Sequence, residues 1–511
     1  MKGYREIELK LPTGYTPEEL RNKISKTLHI KKFVFEILSQ GLDARKKSFI
    51  HWQSRIGVFS DELKSGVKPE IPSLEIARRK RSRTALVLGS GPAGFFAAYV
   101  LQLAGFDTTI IERGADVEKR DSGILRFEKT GVFDPVCNYA FGEGGAGTFS
   151  DGKLTSRSKH ISAEKRFILD KYVLAGGPGE IRYLTHPHLG SDNLKLIVRN
   201  LREEFRNQGG KILFETMLED LVIQNGTVKK AVTSKGIMEA GIFVLAPGHS
   251  SFETYRMLMK RGVGFRTKNF ALGFRTEHLQ ETINRAQWGV SELPGVKAAE
   301  YRLTSNAENR LPVFTFCMCP GGMVVPATAY ETTNIVNGMS LYHRDGKYAN
   351  AACVAGIHPD QLAGERVTAS GALDLLRQYE EQFYNYSQGY RAPFCTIADF
   401  LKQKNSSGEN GTSYPLGLVP APLWKMLPDT VIHSISEGLR EFSRKLKGFD
   451  TGIFLGLESK TSSPVQVIRD ETGKCEGFDN LWMAGEGSGY AGGIVSSGAD
   501  GIRIAMTLAG E

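Results

Sequence analysis

The sequence predicts an α/β fold with three parts: a discontinuous Rossmann-like dinucleotide-binding domain, an inserted α+β domain and a small N-terminal α/β module. Three observations predict it. From Ala85 to Arg113 an apolar run, a glycine-rich turn, a helical stretch and a second apolar run follow one another. Far downstream, a second glycine-rich acidic turn, Gly485-Glu486-Gly487, precedes a C-terminal helix. Between them short strands and helices alternate, and no second strand–GxGxxG–helix fingerprint is seen.

The run Ala85–Gly89 reads as a buried parallel strand, and it ends in Gly89-Ser90-Gly91-Pro92-Ala93-Gly94. Gly89 permits the tight turn, Gly91 lets backbone approach a pyrophosphate, and Gly94 lets helix pack on strand. Pro92 suits a first helical turn, where an amide donor is spare. Free N–H groups and the positive dipole end at that helix start favour phosphate. Glu112, with Arg113 beside it, closes the second strand at the position where a carboxylate accepts both hydroxyls of an adenosine ribose. Dinucleotide binding follows; which dinucleotide stays open at this point.

At 511 residues the chain is long enough for several domains. With 41% hydrophobic and 24% charged residues it is ordinary globular material, which argues against extended disorder. The N-terminus has no apolar signal-peptide core, no long apolar run reads as a membrane span, and six cysteines without secretory context fit a reducing compartment. The expectation is a soluble cytoplasmic protein. The net charge of +9 is unevenly placed: residues 1–83 hold 19 Lys/Arg and 10 Asp/Glu, a net of +9, so the rest is neutral.

Residues 1–67 read as a βαββ module, ferredoxin-like, with strands at Arg5–Leu11, Phe33–Leu38 and Phe49–Val58 and a helix starting at Thr16-Pro17. Residues 68–83, with the run Arg78-Arg79-Lys80-Arg81, read as a basic linker. The basic charge has two readings. One is a nucleic-acid footprint through Lys31, Lys32, Arg45, Lys46 and Lys47. The favoured one is a solvated face on a module that packs against its neighbour.

The first part of the cofactor domain is expected over 84–263. Its loop Phe141–Lys153 is too rich in glycine for a core element and suits backbone laid against a flat or charged ligand. Gly145 and Gly147 allow that approach, while Thr148, Ser150 and Lys153 offer hydroxyl and cationic partners for phosphate or flavin. Ser191 or Asp192 is expected to cap a helix whose Leu194, Ile197, Leu201 and Phe205 follow the helical period. Asn225-Gly226 reads as a hairpin turn. Strand Ile242–Ala246 ends in Pro247-Gly248-His249, and Ala246 and Gly248 form the kind of turn that returns a flavoprotein chain beneath the adenosine half.

The set GSGPAG, IIERG, GEGGAGTFSDGKL, FVLAPGH, CMCPGG and AGEGSGYAGGI resembles the bacterial FAD-dependent dehydrogenases termed NAD(FAD)-utilising dehydrogenases. The resemblance covers essentially the whole chain, and more widely it is similar to the glutathione-reductase-type FAD fold. It implies bound FAD and an oxidoreductase activity. In that fold the acidic position of the C-terminal turn, here Glu486, hydrogen-bonds a ribityl hydroxyl of FAD. Gly485, Gly492, Gly493 and Ile494 then complete the second cofactor part, expected over 450–511. The C-terminal helix start would face the flavin's pyrimidine edge, where reduction builds negative charge.

Residues 264–449 are expected to form the substrate or cap domain, with strands near Phe270, Val313, Asn334 and Ala351 and helices over Gln361–Tyr384 and Asp429–Lys445. Cys317 and Cys319, two apart on a strand, would share a face at the edge of disulfide geometry. A redox pair needs one exposed, thiolate-prone sulfur; two small buried side chains are the favoured reading. No second cysteine pair completes a zinc site, so no metal is expected. Arg275 and Arg344 are expected at strand ends, where either could clamp a carboxylate, and His186, His188, His278 and His343 could face a substrate. The function expected is hydride transfer through FAD to or from a small molecule, with NAD(P)H as a transient donor. A flavoprotein acting on RNA and a non-catalytic electron carrier are the alternatives.

Overall fold

The computed structural model describes residues 3–70, 72–156, 158–306, 310–406 and 411–510. The N-terminal module is a βαββ unit of β1 (Gly3–Leu11), α1 (Pro17–Leu28), β2 (Val34–Asp43) and β3 (His51–Ser60). Helix α1 starts where the sequence predicts. The Thr16 hydroxyl accepts from the Glu19 N–H, and the Glu19 carboxylate accepts from the Thr16 N–H at 2.8 Å, a reciprocal cap. The sheet order is β1-β3-β2, all neighbours antiparallel, with Leu20 and Ile24 of α1 packed on Leu9, Ile56 and Val58. Gln40 on β2 exchanges two backbone hydrogen bonds of 2.9 Å with Tyr183 and Thr185, which fastens the module to the larger body.

A five-stranded parallel sheet follows. Strand β4 (Thr84–Leu88), helix α2 (Pro92–Leu103) and strand β5 (Asp107–Ile111) realise the predicted βαβ unit. Across the sheet the order is Leu481–Met483, Ile242–Leu245, β4, β5, Lys211–Leu213. The chain therefore leaves β4 toward one edge and fills the other edge from remote segments, which places a topological switch point at the carboxyl end of β4. Helix α2 is buried from Ala93 to Leu101, an apolar cylinder between the sheet and two other helices, Ser162–Leu174 and Ile494–Gly510. The closest approach needs glycine: a Cβ at Gly501 would overlap the Ala93 carbonyl oxygen.

The second body is a mixed sheet of eight strands. Its long members are Phe270–Leu279, Val313–Pro326 and Tyr348–Ile357, and helix Asp429–Lys445 covers it through Ile435, Leu439 and Phe442. Three expectations change here. The helix expected over Gln361–Tyr384 is two, Pro359–Ala363 and Ala369–Ser387, separated where Gly364 turns left-handed at φ 76°. Strand Ile453–Glu458, expected in the second cofactor part, pairs with Phe270–Leu279 and Ala392–Thr396, so the mixed sheet extends past residue 449. Neither Ser191 nor Asp192 caps its helix, which runs Gly190–Asn207 with Leu189 at the cap and no side-chain cap. Asp192 instead accepts the Tyr342 N–H at 2.9 Å. The Asn225-Gly226 turn is as predicted, with φ of 49° and 75° joining two antiparallel strands. Among the described residues no helix is long and apolar enough to cross a membrane.

Candidate functional site

The glycine turns separated by hundreds of residues meet at one edge of the parallel sheet. Gly89–Gly94 follows β4, Ala246-Pro247-Gly248 follows Ile242–Leu245, Gly485-Glu486-Gly487 follows Leu481–Met483, and Glu112 follows β5. Parallel register puts all four carboxyl ends side by side. At Gly89 the backbone has φ 92°, and a Cβ at Gly94 would overlap the Gly89 carbonyl oxygen, so the turn and helix entry demand both glycines.

Before these turns lies a cavity of about 1430 Å³, more than the roughly 300–1,000 Å³ of an ordinary small-ligand pocket. It continues to the mixed sheet, where Cys317, Arg344 and Glu458 line it. Of the predicted cofactor residues all line it except Ser90, Gly94, Thr148 and Gly485. Gly91 and Gly145 pack against each other in its wall: a Cβ on Gly145 would come within 3.0 Å of the Gly91 Cα. Neither Gly91 nor any side chain caps α2, so its first-turn N–H groups are left for an anion. At the other turn the His249 Nδ1 lies 3.0 Å from a Glu486 carboxylate oxygen, while His249 Nε2 is buried without a partner. Burial pushes the Glu486 carboxyl up, but His249, the Gly493 N–H and Lys268 together outweigh it and hold the group below the usual range. A two-glycine cradle beside an uncapped helix, with an acid and an orphaned imidazole nitrogen farther along, fits the pyrophosphate and the polyol of a flavin dinucleotide.

Several predicted cofactor residues already have partners within the chain. Glu112 is buried, and its carboxylate already accepts four hydrogen bonds: two from Ser90 (2.9 Å each), one from Gly114 N–H (2.9 Å) and one from Gly142 N–H (3.1 Å). It thus ties the first glycine turn to the second glycine loop. Thr148 is buried and donates to the Glu143 carbonyl, so it does not face a ligand. Ser150 donates to the Gly147 carbonyl at 2.7 Å. Lys153 is paired with Glu300 at 3.0 Å instead of waiting for phosphate. Gly485 packs on Ala93 of α2.

The two arginines are also spent. Arg275 sits in mid-strand, fully buried, and bonds Glu458 (2.9 Å), Asn350, Asn337 and the Cys317 carbonyl. Arg344 does clamp a carboxylate bidentately, but that of Asp151, at 3.0 and 2.5 Å. Burial alone would raise the Asp151 carboxyl; Arg344 and Lys153 hold it down to about 2. Arg113 pairs with Glu253, lies 3.9 Å over the Phe141 ring and lines the cavity. Of the histidines, His186 lines the cavity, His343 is exposed on the surface, and His188 and His278 are buried on backbone carbonyls. Sequence reasoning gives no role to His249, Asp151 or Glu300. Only His249 carries a signal, its place directly after the Ala-x-Gly turn.

Burial pushes His188 and His278 each down from 6.5 to about 4. The fold thus accommodates neutral imidazole, and the unfolded chain takes up protons first as pH falls. The contribution of each histidine to stability is full above about pH 6.5 and is lost between about 6.5 and about 4, by roughly 3 kcal/mol. We expect His278→Gln, which keeps a donor for the Phe449 carbonyl, to flatten the pH dependence of the urea midpoint by about that amount. An unchanged slope would contradict it.

Fold and site together define a Rossmann-type protein that holds FAD. Residues 269–461 match the family described as FAD-dependent protein, C-terminal domain-like. Over 508 residues the chain is 37% identical to an uncharacterized protein of Clostridium beijerinckii, with 95% of each covered. The chain belongs to the same family as that protein, and FAD is its cofactor. Among solved structures, glycine oxidase from Bacillus cereus is similar over 84% of this chain and 95% of its own, at 12% identity and a TM-score of 0.33. L-Proline dehydrogenase from P. horikoshii is similar over 84% and 94%, at 11% identity and a TM-score of 0.34. Likenesses so remote carry no functional argument.

Proposed function

We propose that this chain is an FAD-dependent oxidoreductase, a dehydrogenase or reductase related to the glutathione-reductase-type flavoproteins, acting on a small molecule. The observation that supports it most is the single cavity running from the glycine cradle of the parallel sheet to a polar wall on the mixed sheet. A dinucleotide held at the cradle leaves the far end for a substrate. FAD supplies two-electron hydride chemistry when bound.

The chain's own residues then position and shield. Gly91, Gly145 and the start of α2 admit the pyrophosphate, Glu112 the adenosine ribose, and Glu486 with His249 the ribityl hydroxyls. The start of helix Ile494–Gly510 offers its dipole to the flavin edge. Residues 84–263 and the C-terminal segment form the cofactor unit, and the mixed sheet is the cap that walls out water. The docked N-terminal module serves as a structural brace. NAD(P)H enters transiently as donor, since the sequence carries a single dinucleotide fingerprint. The test is anaerobic reduction of natively purified protein by NADH, NADPH and other donors: one of them bleaches the flavin within seconds. A flavin that no donor reduces would sink the proposal.

A further inference from the structure

We propose that Cys317 and Cys319 form a redox-active dithiol that carries two electrons between the flavin and a small-molecule disulfide admitted to the cavity. The inference rests on the oxidoreductase reading above and names its substrate class.

Geometry carries it. The strand Val313–Pro326 bulges at this point: Phe316 pairs with Ala352 and Cys319 with Asn350, which leaves two residues, Cys317 and Met318, against one, Ala351. Strict alternation is broken there, and Cys317 is held at φ 46°, a left-handed conformation that a non-glycine residue rarely adopts. The Cys319 thiol donates to the Cys317 carbonyl at 3.3 Å, and its sulfur accepts from Arg275 Nη2 at 3.5 Å. Their environments differ. Cys317 is half-buried and lines the cavity, whereas Cys319 is fully buried behind it. An outer sulfur open to a ligand and an inner one shielded two residues away on the same bulge is the arrangement that attack and resolution require.

Electrostatics agree. The neighbouring Cys319 thiol favours the Cys317 thiolate most; burial opposes it, Arg275 and Lys153 support it, and the thiol is held below its ordinary range. Cys319 is pushed well up, first by the Cys317 thiol beside it and then by burial. Cys353, Cys395, Cys475 and Cys137 are all raised by burial, as ordinary core thiols are. Cys317 alone departs from that pattern.

The Cys317 thiolate attacks one sulfur of the substrate disulfide, forming a mixed disulfide and expelling the other sulfur as a thiolate, which takes the Cys319 proton. Cys319 then attacks the Cys317 sulfur, releasing the second substrate thiolate, which takes a proton from solvent, and leaving a Cys317–Cys319 disulfide. Two electrons from reduced FAD, itself reduced by a nicotinamide hydride donor, return the pair to the dithiol. One disulfide is reduced to two thiols for each nicotinamide oxidised.

The experiment is an anaerobic dithionite titration of holoprotein first oxidised with cystine and then desalted. Wild type should consume two two-electron equivalents, one for flavin and one for the pair, whereas Cys317→Ser and Cys319→Ser should each consume one. Alkylation before and after reduction, read by peptide mass, should find both cysteines blocked in the oxidised protein and both labelled in the reduced one. Wild type that takes one equivalent and alkylates at both cysteines after cystine would overturn the dithiol and leave the oxidoreductase reading standing. A flavin that no physiological donor reduces would overturn that reading, while the alkylation result would still decide whether the pair exists.

Discussion

Replacing Gly94 by alanine should yield a chain that folds but loses its flavin on purification. The added Cβ would overlap the Gly89 carbonyl oxygen and lie 3.3 Å from the Ala246 Cβ, so neither the turn nor the neighbouring strand end can yield without moving the start of α2. Overpacking of this kind costs about 1–3 kcal/mol. Because the displaced element is the cradle itself, a similar amount comes off cofactor binding, and each 1.4 kcal/mol is about tenfold in Kd. Isothermal titration of the apoprotein with FAD would read it directly. Gly179→Ala is the control: nothing lies within 4 Å of a Cβ there, so FAD affinity should be unchanged. Equal affinity in Gly94→Ala and wild type would contradict the placement of the cofactor.

Arg275→Met should be the most destabilising charge substitution in the mixed sheet. Arg275 and Glu458 are both buried, 2.9 Å apart, in the wall between cavity and core. Removing one partner of such a pair leaves the other buried without compensation and costs about 3–5 kcal/mol. A urea midpoint measured at neutral pH should fall accordingly, and the double variant Arg275→Met/Glu458→Gln should recover part of the loss because no bare carboxylate remains. The carboxyl of Glu458 is already pushed up by burial, with Arg275 opposing that rise, so the single variant should also protonate more readily on acidification. A single variant as stable as wild type would show that the pair is idle.

How much of this is legible in the chain follows from where each signal resides. The β4–α2–β5 unit, the Thr16 cap and the Asn225-Gly226 hairpin rest on local rules, and they appear where local rules place them. Helix Ser162–Leu174 escapes a sequence reading because its buried residues Ile168, Leu169 and Tyr172 make too short an apolar pattern to stand out. The polar assignments suffer most. Whether Arg344 meets a substrate or Asp151, and whether Lys153 meets phosphate or Glu300, is decided by partners more than a hundred residues away. Residue type announces the capacity for such bonds, and tertiary structure chooses the partner. The same holds for Cys317 and Cys319. The alternation of an ideal strand predicts a matched pair, and a bulge makes the two thiols unequal.

The central claim is that the glycine turns assembled at the carboxyl ends of the parallel strands hold an FAD that exchanges hydride with a donor. Anaerobic reduction of the natively purified protein, followed by denaturation and identification of the released cofactor, tests it most directly. The expected result is a flavin spectrum bleached by a reduced nicotinamide and one FAD released per chain. A colourless protein that takes up no FAD, or a bound flavin that no donor reduces, would contradict it.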